Sequence, residues 1–274
     1  MTTQAEKGDA FRALHEREGA FIMPNPYDPG TARLLAQLGF EALATTSAGF
    51  AFTLGRRDNT VSREGVLRHV AEIATAAPDL PVSADLGNCF GDAPETVAET
   101  IRAAARAGIV GGSVEDMSGS KDDPIYEIEF AAERVRAAAR AAHSLPFAFT
   151  LTARAENHLV GRGDLKDTIR RLQAYQEAGA DVLFAPGLTT REDITSVVQS
   201  VNRPVNVIMG LQGVRLGLAE LSEIGVKRIS VGSALARAAL GAFLRAAREL
   251  KTRGTFAFAD EAVSFKEVNE MFEA

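Results

Sequence analysis

The chain has 274 residues, 46% of them hydrophobic, and this length and apolar content suit one large core better than two small ones. A formal net charge of -6, with basic residues scattered among acidic ones, argues against a nucleic-acid or anionic-membrane surface. Cys89 is the only cysteine, so no intramolecular disulfide can form, which fits a reducing compartment such as the cytoplasm.

The opening MTTQAEKGDA lacks a basic start followed by an apolar run, and the longer apolar stretches are broken by Thr, Ser, Gly or charge. A soluble protein is expected. Residues 3–17 predict a lead-in helix. From residue 21 onward, short runs rich in Val, Ile, Leu and Ala alternate with amphipathic segments, the pattern of repeated βα units around a parallel sheet. Eight strands are expected, at 20–23, 42–46, 82–85, 110–115, 147–152, 182–185, 205–209 and 228–231. The segment 94–107 illustrates the helices, with Val97, Ile101 and Ala104 on one face and Glu95, Glu99 and Arg102 between them.

The count of eight, and the absence of a GxGxxG after the first strand, favour a closed (β/α)8 TIM barrel over a doubly wound open sheet. No Gly/Ser-rich or Pro-rich linker interrupts the series, so residues 1–274 are expected to form one α/β domain. The lead-in helix would cover the barrel's bottom. After the break at Gly254, residues 260–273 predict a terminal amphipathic helix, either exchanged between subunits or folded back on its own chain.

In such a barrel the chemistry sits where strands end and βα loops begin. These addresses carry TTSAGFAFTLGRRD after strand two, SADLGNCFGD after strand three, SVEDM at the end of strand four and TARAEN at the end of strand five. Together with NPYDPGTARLLAQLGFEALATTSAGFA and AYQEAGADVLF, they resemble the ordered motifs of the isocitrate lyase/phosphoenolpyruvate mutase superfamily over residues 20–245.

The resemblance implies a Mg²⁺-dependent enzyme that breaks a carbon–carbon bond beside the carbonyl of a small anionic 2-oxo acid through an enolate. Asp85 and Glu115 match acids that hold Mg²⁺, directly or through water, as suits a hard cation. Arg154 matches an arginine that contacts substrate, its fork suited to a carboxylate or oxyanion. Asp58 matches an acid near the reacting group and joins Arg154 as a catalytic candidate. Ser47, Ala48 and Gly49 match a loop that grips the substrate carboxylate, Tyr27 an aromatic wall of the pocket, and Asp85 and Asn206 are counted with the substrate contacts. A homodimer or homotetramer is implied as well. On their own, Ser47–Gly49 also read as a packing turn, Tyr27 as core, Asp58 as a solvated loop acid or cap, and Arg154 as a neutralising partner of Asp85 or Glu115.

The chain departs from the family in several places. Ser83 replaces the first acid of the DADxGxG segment, leaving one carboxylate fewer for a metal. The lyases' KKCGH lid and the mutases' EDKxxxKxNS lid are both missing; Met117 takes the Lys position, and Pro186 stands where lyases place a glutamate. Residues 117–126 are a candidate gate, Cys89 reads as a packed thiol, and His158 is the one histidine expected near the mouth. Three other readings compete: phosphonate P–C bond chemistry, a binder of 2-oxo acids without turnover, and a sugar-phosphate barrel gripping phosphate at the RISVGSAL turn.

Overall fold

Eight short parallel strands carry the architecture, and the computed structural model describes residues 2–273. The strands are β1 (Phe21–Met23), β2 (Leu43–Ala44), β3 (Val82–Ala84), β4 (Gly111–Glu115), β5 (Thr150–Arg154), β6 (Val182–Phe184), β7 (Val205–Ile208) and β8 (Arg228–Ser230). Ladders run in the order β1-β8-β7-β6-β5-β4-β3-β2. At the remaining seam the Ala44 N–H donates to the Pro24 carbonyl at 3.0 Å, and the Asn25 amide donates to the Thr45 carbonyl at 2.9 Å. A (β/α)8 barrel results, nearly closed, with no long edge left unpaired.

The helices are α1 (Gln4–Glu16), α2 (Pro29–Gln37), α3 (Ser47–Thr53), α4 (Arg63–Ala76), α5 (Pro94–Arg106), α6 (Ile128–His143), α7 (Leu165–Glu177), α8 (Arg191–Ser200), α9 (Leu218–Ile224), α10 (Ala234–Arg253) and α11 (Phe265–Glu270). Their starts follow local chemistry: Thr3, Asp28, Thr46, Ser62 and Thr190 each accept a backbone N–H of the first turn. In α5 the expected face is buried, with Val97, Ile101 and Ala104 inside while Glu95, Glu99 and Arg102 meet solvent. Alanines along the buried face of α6, including Ala138, Ala141 and Ala142, bring it close to its neighbours. None of the helices among the described residues is long and apolar enough to cross a membrane.

The lead-in helix closes the barrel's lower end. Phe11 and Leu14 of α1 pack with Phe21, Met23, Ala42, Ala44 and Val110, and the Phe11, His15 and Phe21 rings meet edge to face. Gly111 is required at this plug, because an added Cβ would lie 2.8 Å from the Phe11 ring and 3.1 Å from the Thr150 carbonyl oxygen.

Two expectations need correction. The fifth strand is Thr150–Arg154 rather than 147–152: Phe147 and Phe149 made the apolar run look like strand, but Phe147 packs beside the lower plug and the ladder to β4 begins at Thr150. Residues 260–273 do not form one helix. They split into a 3-10 turn at Ala257–Glu261 and the six-residue α11, restarted by the Ser264 cap, and neither buries a side chain. The tail turns back on its own chain, where Gln37 Nε2 donates to the Met271 carbonyl at 2.5 Å and Phe272 faces Gly30.

Candidate active site

Strand alternation places every second side chain inside the barrel, and at the C-terminal rim those positions are polar. They line a cavity of about 330 Å³ that includes Asn25, Thr46, Ser47, Ala48, Asp58, Asp85, Glu115, Arg154, Glu156 and Asn206.

Arg154, the last residue of β5, is the hub. Nη1 lies 3.0 Å from Asp85 Oδ1 and 2.8 Å from Glu115 Oε1, Nε lies 2.7 Å from Glu156 Oε1, and the guanidinium sits 5.1 Å from the Phe184 ring centroid. Burial acts to lower its pKa, but Glu115, Glu156 and Asp85 outweigh it and hold Arg154 firmly charged. One cation thus faces several acids. Burial, only partly offset by Arg154, pushes Glu115 well above the usual carboxylate range, with the charges of Glu156, Asp85 and Asp58 adding to the push. Glu156 rises for the same first reason, and its Oε2 is buried with no hydrogen-bond partner among the described residues. At the open mouth Asp58 is raised by partial enclosure and then by the charge of Asp85.

A second layer fixes the hub. Asp116 Oδ1 accepts the Glu156 N–H at 2.8 Å, while Oδ2 takes Tyr175 Oη at 2.5 Å and Arg171 Nη1 at 3.1 Å. The β3–α5 loop is held by the fully buried Arg134, which donates to the carbonyls of Glu115, Asn88, Gly91 and Asp92 and stacks over Tyr126. That clamp secures a left-handed turn at Cys89 and Phe90, with φ of 63° and 64°, a conformation costly for side chains with a Cβ. Cys89 is enclosed, and burial drives its thiol to about 12, so it is a packed thiol without nucleophilic character at neutral pH.

Of the nominated residues, Ser47, Ala48, Asp58, Asp85, Glu115, Arg154 and Asn206 share the cavity. Tyr27 and Gly49 do not line it. They border a separate apolar hollow with Phe52, Ala236 and Phe243, and an added Cβ at Gly49 would lie 2.5 Å from Thr46 Cγ2 and 3.0 Å from Tyr27 Cβ. The Gly49 N–H is taken by Thr46 Oγ1 and the Ser47 N–H by Asp85 Oδ2, and the Ser47 hydroxyl faces the Asp58 carboxylate, so the Ala48 amide is what this loop's backbone still offers a ligand. His158 is also off the cavity, packed beneath Gly163 and Gly187.

The expected gate is a narrow flap rather than a loose loop. Met117 bridges Ile125, the Ser118 N–H reaches the Pro124 carbonyl, and Tyr126 donates to Asp92, while residues 119–123 stay exposed. At the strand-eight turn, the N–H groups of Val231 and Gly232 both donate to Asn25 Oδ1 at 2.9 Å. Asn25 thereby occupies two of the donors that a phosphate would use at this turn.

Sequence reasoning missed Glu156 and Arg228. Glu156 stands in the quoted TARAEN but follows the strand, so alternation gave it no face. Arg228 had a readable signal: a charged residue inside a strand pattern, beside Ile229, has to point into the barrel.

Comparison with known proteins agrees with this geometry. The family described as phosphoenolpyruvate phosphomutase matches residues 11–251. The oxaloacetate decarboxylase of Paraburkholderia xenovorans is 30% identical over 249 residues, 85% of this chain and 76% of that protein. A crystal structure from Burkholderia cenocepacia J2315, described as that of a lyase or mutase, is 61% identical, covers 99% of this chain and 97% of its own, and superposes with a TM-score of 0.97. Phosphonopyruvate hydrolase in complex with oxalate and Mg²⁺ superposes with a TM-score of 0.86 at 25% identity, covering 99% of this chain and 95% of its own.

Proposed function

We propose, from the premise that the chain belongs to the phosphoenolpyruvate phosphomutase family, that it is a lyase-type enzyme cleaving the bond beside the carbonyl of a small 2-oxo acid. The observation that carries this reading is the convergence of Asp85, Glu115 and Glu156 on Arg154 at one end of a cavity sized for a small metabolite.

The donor set fits a Mg²⁺ ion bound largely through water. Four carboxylates, Asp58, Asp85, Glu115 and Glu156, line the cavity beside one rim arginine, and Glu156 Oε2 lacks a partner. Among the described residues no group of three or more His, Cys, Asp or Glu forms a ready cage, in keeping with Ser83 in place of an acid. Asp85 and Glu115 would hold the ion's shell; when bound, Mg²⁺ supplies Lewis-acid polarisation of the substrate oxygens.

The chain's own groups do the rest. Arg154 is fixed on three acids and keeps its charge, so it presents a preorganised cation to the negative charge that develops on the 2-oxo oxygen. Ser47 and Ala48, which line the cavity, would receive the carboxylate through the Ser47 hydroxyl and the Ala48 N–H. Asp58, raised above the ordinary range and next to the mouth, is suited to carry a proton to the leaving carbon. The flap at 117–126 would exclude water from the carbanionic species.

A homo-oligomer belongs to the same proposal. Only Ala236 of the twenty-residue α10 is buried, and Leu240, Phe243 and Leu244 are exposed on it, an apolar surface that a second copy would cover.

A thermal-shift screen of oxaloacetate, 2-oxoglutarate, pyruvate and phosphonopyruvate, each with Mg²⁺ and with chelator, tests the reading. At least one 2-oxo acid should stabilise the protein in a metal-dependent way, and Arg154→Met should abolish the response. No stabilisation by any 2-oxo acid, with or without metal, would sink it.

A further inference from the structure

The cavity continues below the rim, and there the charge changes sign. Two residues earlier along the strands, at the level of Ala44, Ser83, Ser113 and Thr152, a barrel normally fills its interior with bulky branched side chains. Here these side chains are small and mostly hydroxyl-bearing, and all four line the cavity. Arg228, the first residue of β8, reaches into this level from the opposite wall and is only 3% exposed. Its Nε donates to Asn206 Oδ1 at 2.9 Å, Nη2 to Thr152 Oγ1 at 2.8 Å, and Nη1 to His15 Nε2 at 3.3 Å.

Every one of these partners is neutral. His15 Nδ1 lies 2.8 Å from the Phe11 carbonyl, which fixes the proton on Nδ1 and leaves Nε2 to accept; burial and then the Arg228 charge drive the imidazole down to about 3. No carboxylate among the described residues lies within ion-pair distance of Arg228, and two of its five N–H groups have no acceptor there. A buried guanidinium without an anion is a costly arrangement. Burial, followed by repulsion from Arg154, pulls Arg228 down to about 9, still charged at neutral pH. The rest of the interior is built to hold its fork in place: Asn206 also donates to Ser230 Oγ at 3.0 Å, so its amide oxygen stays turned toward Arg228.

We propose that Arg228, oriented by Asn206 and Thr152, binds the far carboxylate of a 2-oxo dicarboxylate whose 2-oxo end lies at Arg154, so that the substrate stands along the barrel axis. Thr152 and Arg154 are inward neighbours on β5, separated by two residues or roughly 6.6 Å of strand. A four- or five-carbon dicarboxylate spans that separation once its hydrogen bonds are included. A 2-oxo monocarboxylate of equal length would leave Arg228 buried and unpaired, which is how the floor would select between them. This inference rests on the 2-oxo acid reading of the same cavity and adds the substrate's second charge to it.

Isothermal titration of the full chain with Mg²⁺ compares oxaloacetate and 2-oxoglutarate with pyruvate, 2-oxobutyrate and 2-oxopentanoate. The better dicarboxylate should bind about thirtyfold or more tightly than the monocarboxylate of the same length. Arg228→Met should bring that ratio close to one while leaving 2-oxobutyrate affinity within about threefold, and Thr152→Val should lower the ratio without abolishing binding. If Arg228→Met fails to fold, the wild-type ratio and Thr152→Val decide. Equal affinity of the wild type for both classes, or an equal loss for both classes in the variants, overturns the proposal while leaving the 2-oxo acid reading standing. Binding of neither class removes both.

Discussion

Replacing Arg154 by methionine tests the electrostatics of the rim directly. The wild-type guanidinium is the partner that Asp85, Glu115 and Glu156 share at 2.7 to 3.0 Å, and Glu115 and Glu156 are almost wholly buried. Removing one member of a buried charge cluster typically costs about 3–5 kcal/mol, because the remaining charges lose their compensation. In a chain of this size that corresponds to a fall in melting temperature on the order of 10 °C. The pH dependence separates this cause from a simple packing defect. Glu115 and Glu156 are already pushed up by burial, and without Arg154 they rise further. A carboxyl group whose folded-state pKa lies above its unfolded value destabilises the fold once pH exceeds the unfolded value, and that penalty is relieved as pH falls through the folded-state value. The deficit of Arg154→Met should therefore be largest near pH 8 and shrink toward pH 5, by up to roughly 1.4 kcal/mol per pH unit for each group that takes up a proton. Urea unfolding followed by circular dichroism at a series of pH values measures it. A variant as stable as wild type near pH 8, or a deficit that does not change with pH, would refute the reasoning.

Asp116→Asn removes the charge that Arg171 and Tyr175 share and weakens the anchor of Glu156; it should lower stability by about 3–5 kcal/mol in the same unfolding assay, and an unchanged midpoint would show that the buried pair is not under load. The His143 imidazole, bonded to Asp181 at 3.1 Å, is raised above its ordinary 6.5 by that hydrogen bond, more than burial lowers it. Its stabilisation should be complete below the unfolded value and lost as pH rises through the folded one; NMR titration should find the shift, and Asp181→Asn should abolish it. Gly111→Ala drives a methyl group against the Phe11 ring and the Thr150 carbonyl, and should cost about 1–3 kcal/mol, with equal or greater stability counting against the close approach.

Local pattern was enough for the sequence to specify eight βα units, the plug formed by residues 3–17 and the rim addresses of Asp85, Glu115 and Arg154. Period and strand-end position are properties of neighbouring residues, and neighbours are what a sequence displays. The rest depended on distance in space. Only the closed barrel turns Arg228 on β8 toward Thr152 on β5 and His15 on α1, and only the folded chain shows Gly49 and Tyr27 facing a hollow shared with Ala236 and Phe243 of α10 instead of the cavity. Likewise, Asn25 engages the strand-eight turn because barrel closure brings β1 beside β8. Whether a buried charge finds its partner is settled by groups more than two hundred residues apart in the chain, as with Arg228 and His15, and no local pattern encodes that meeting.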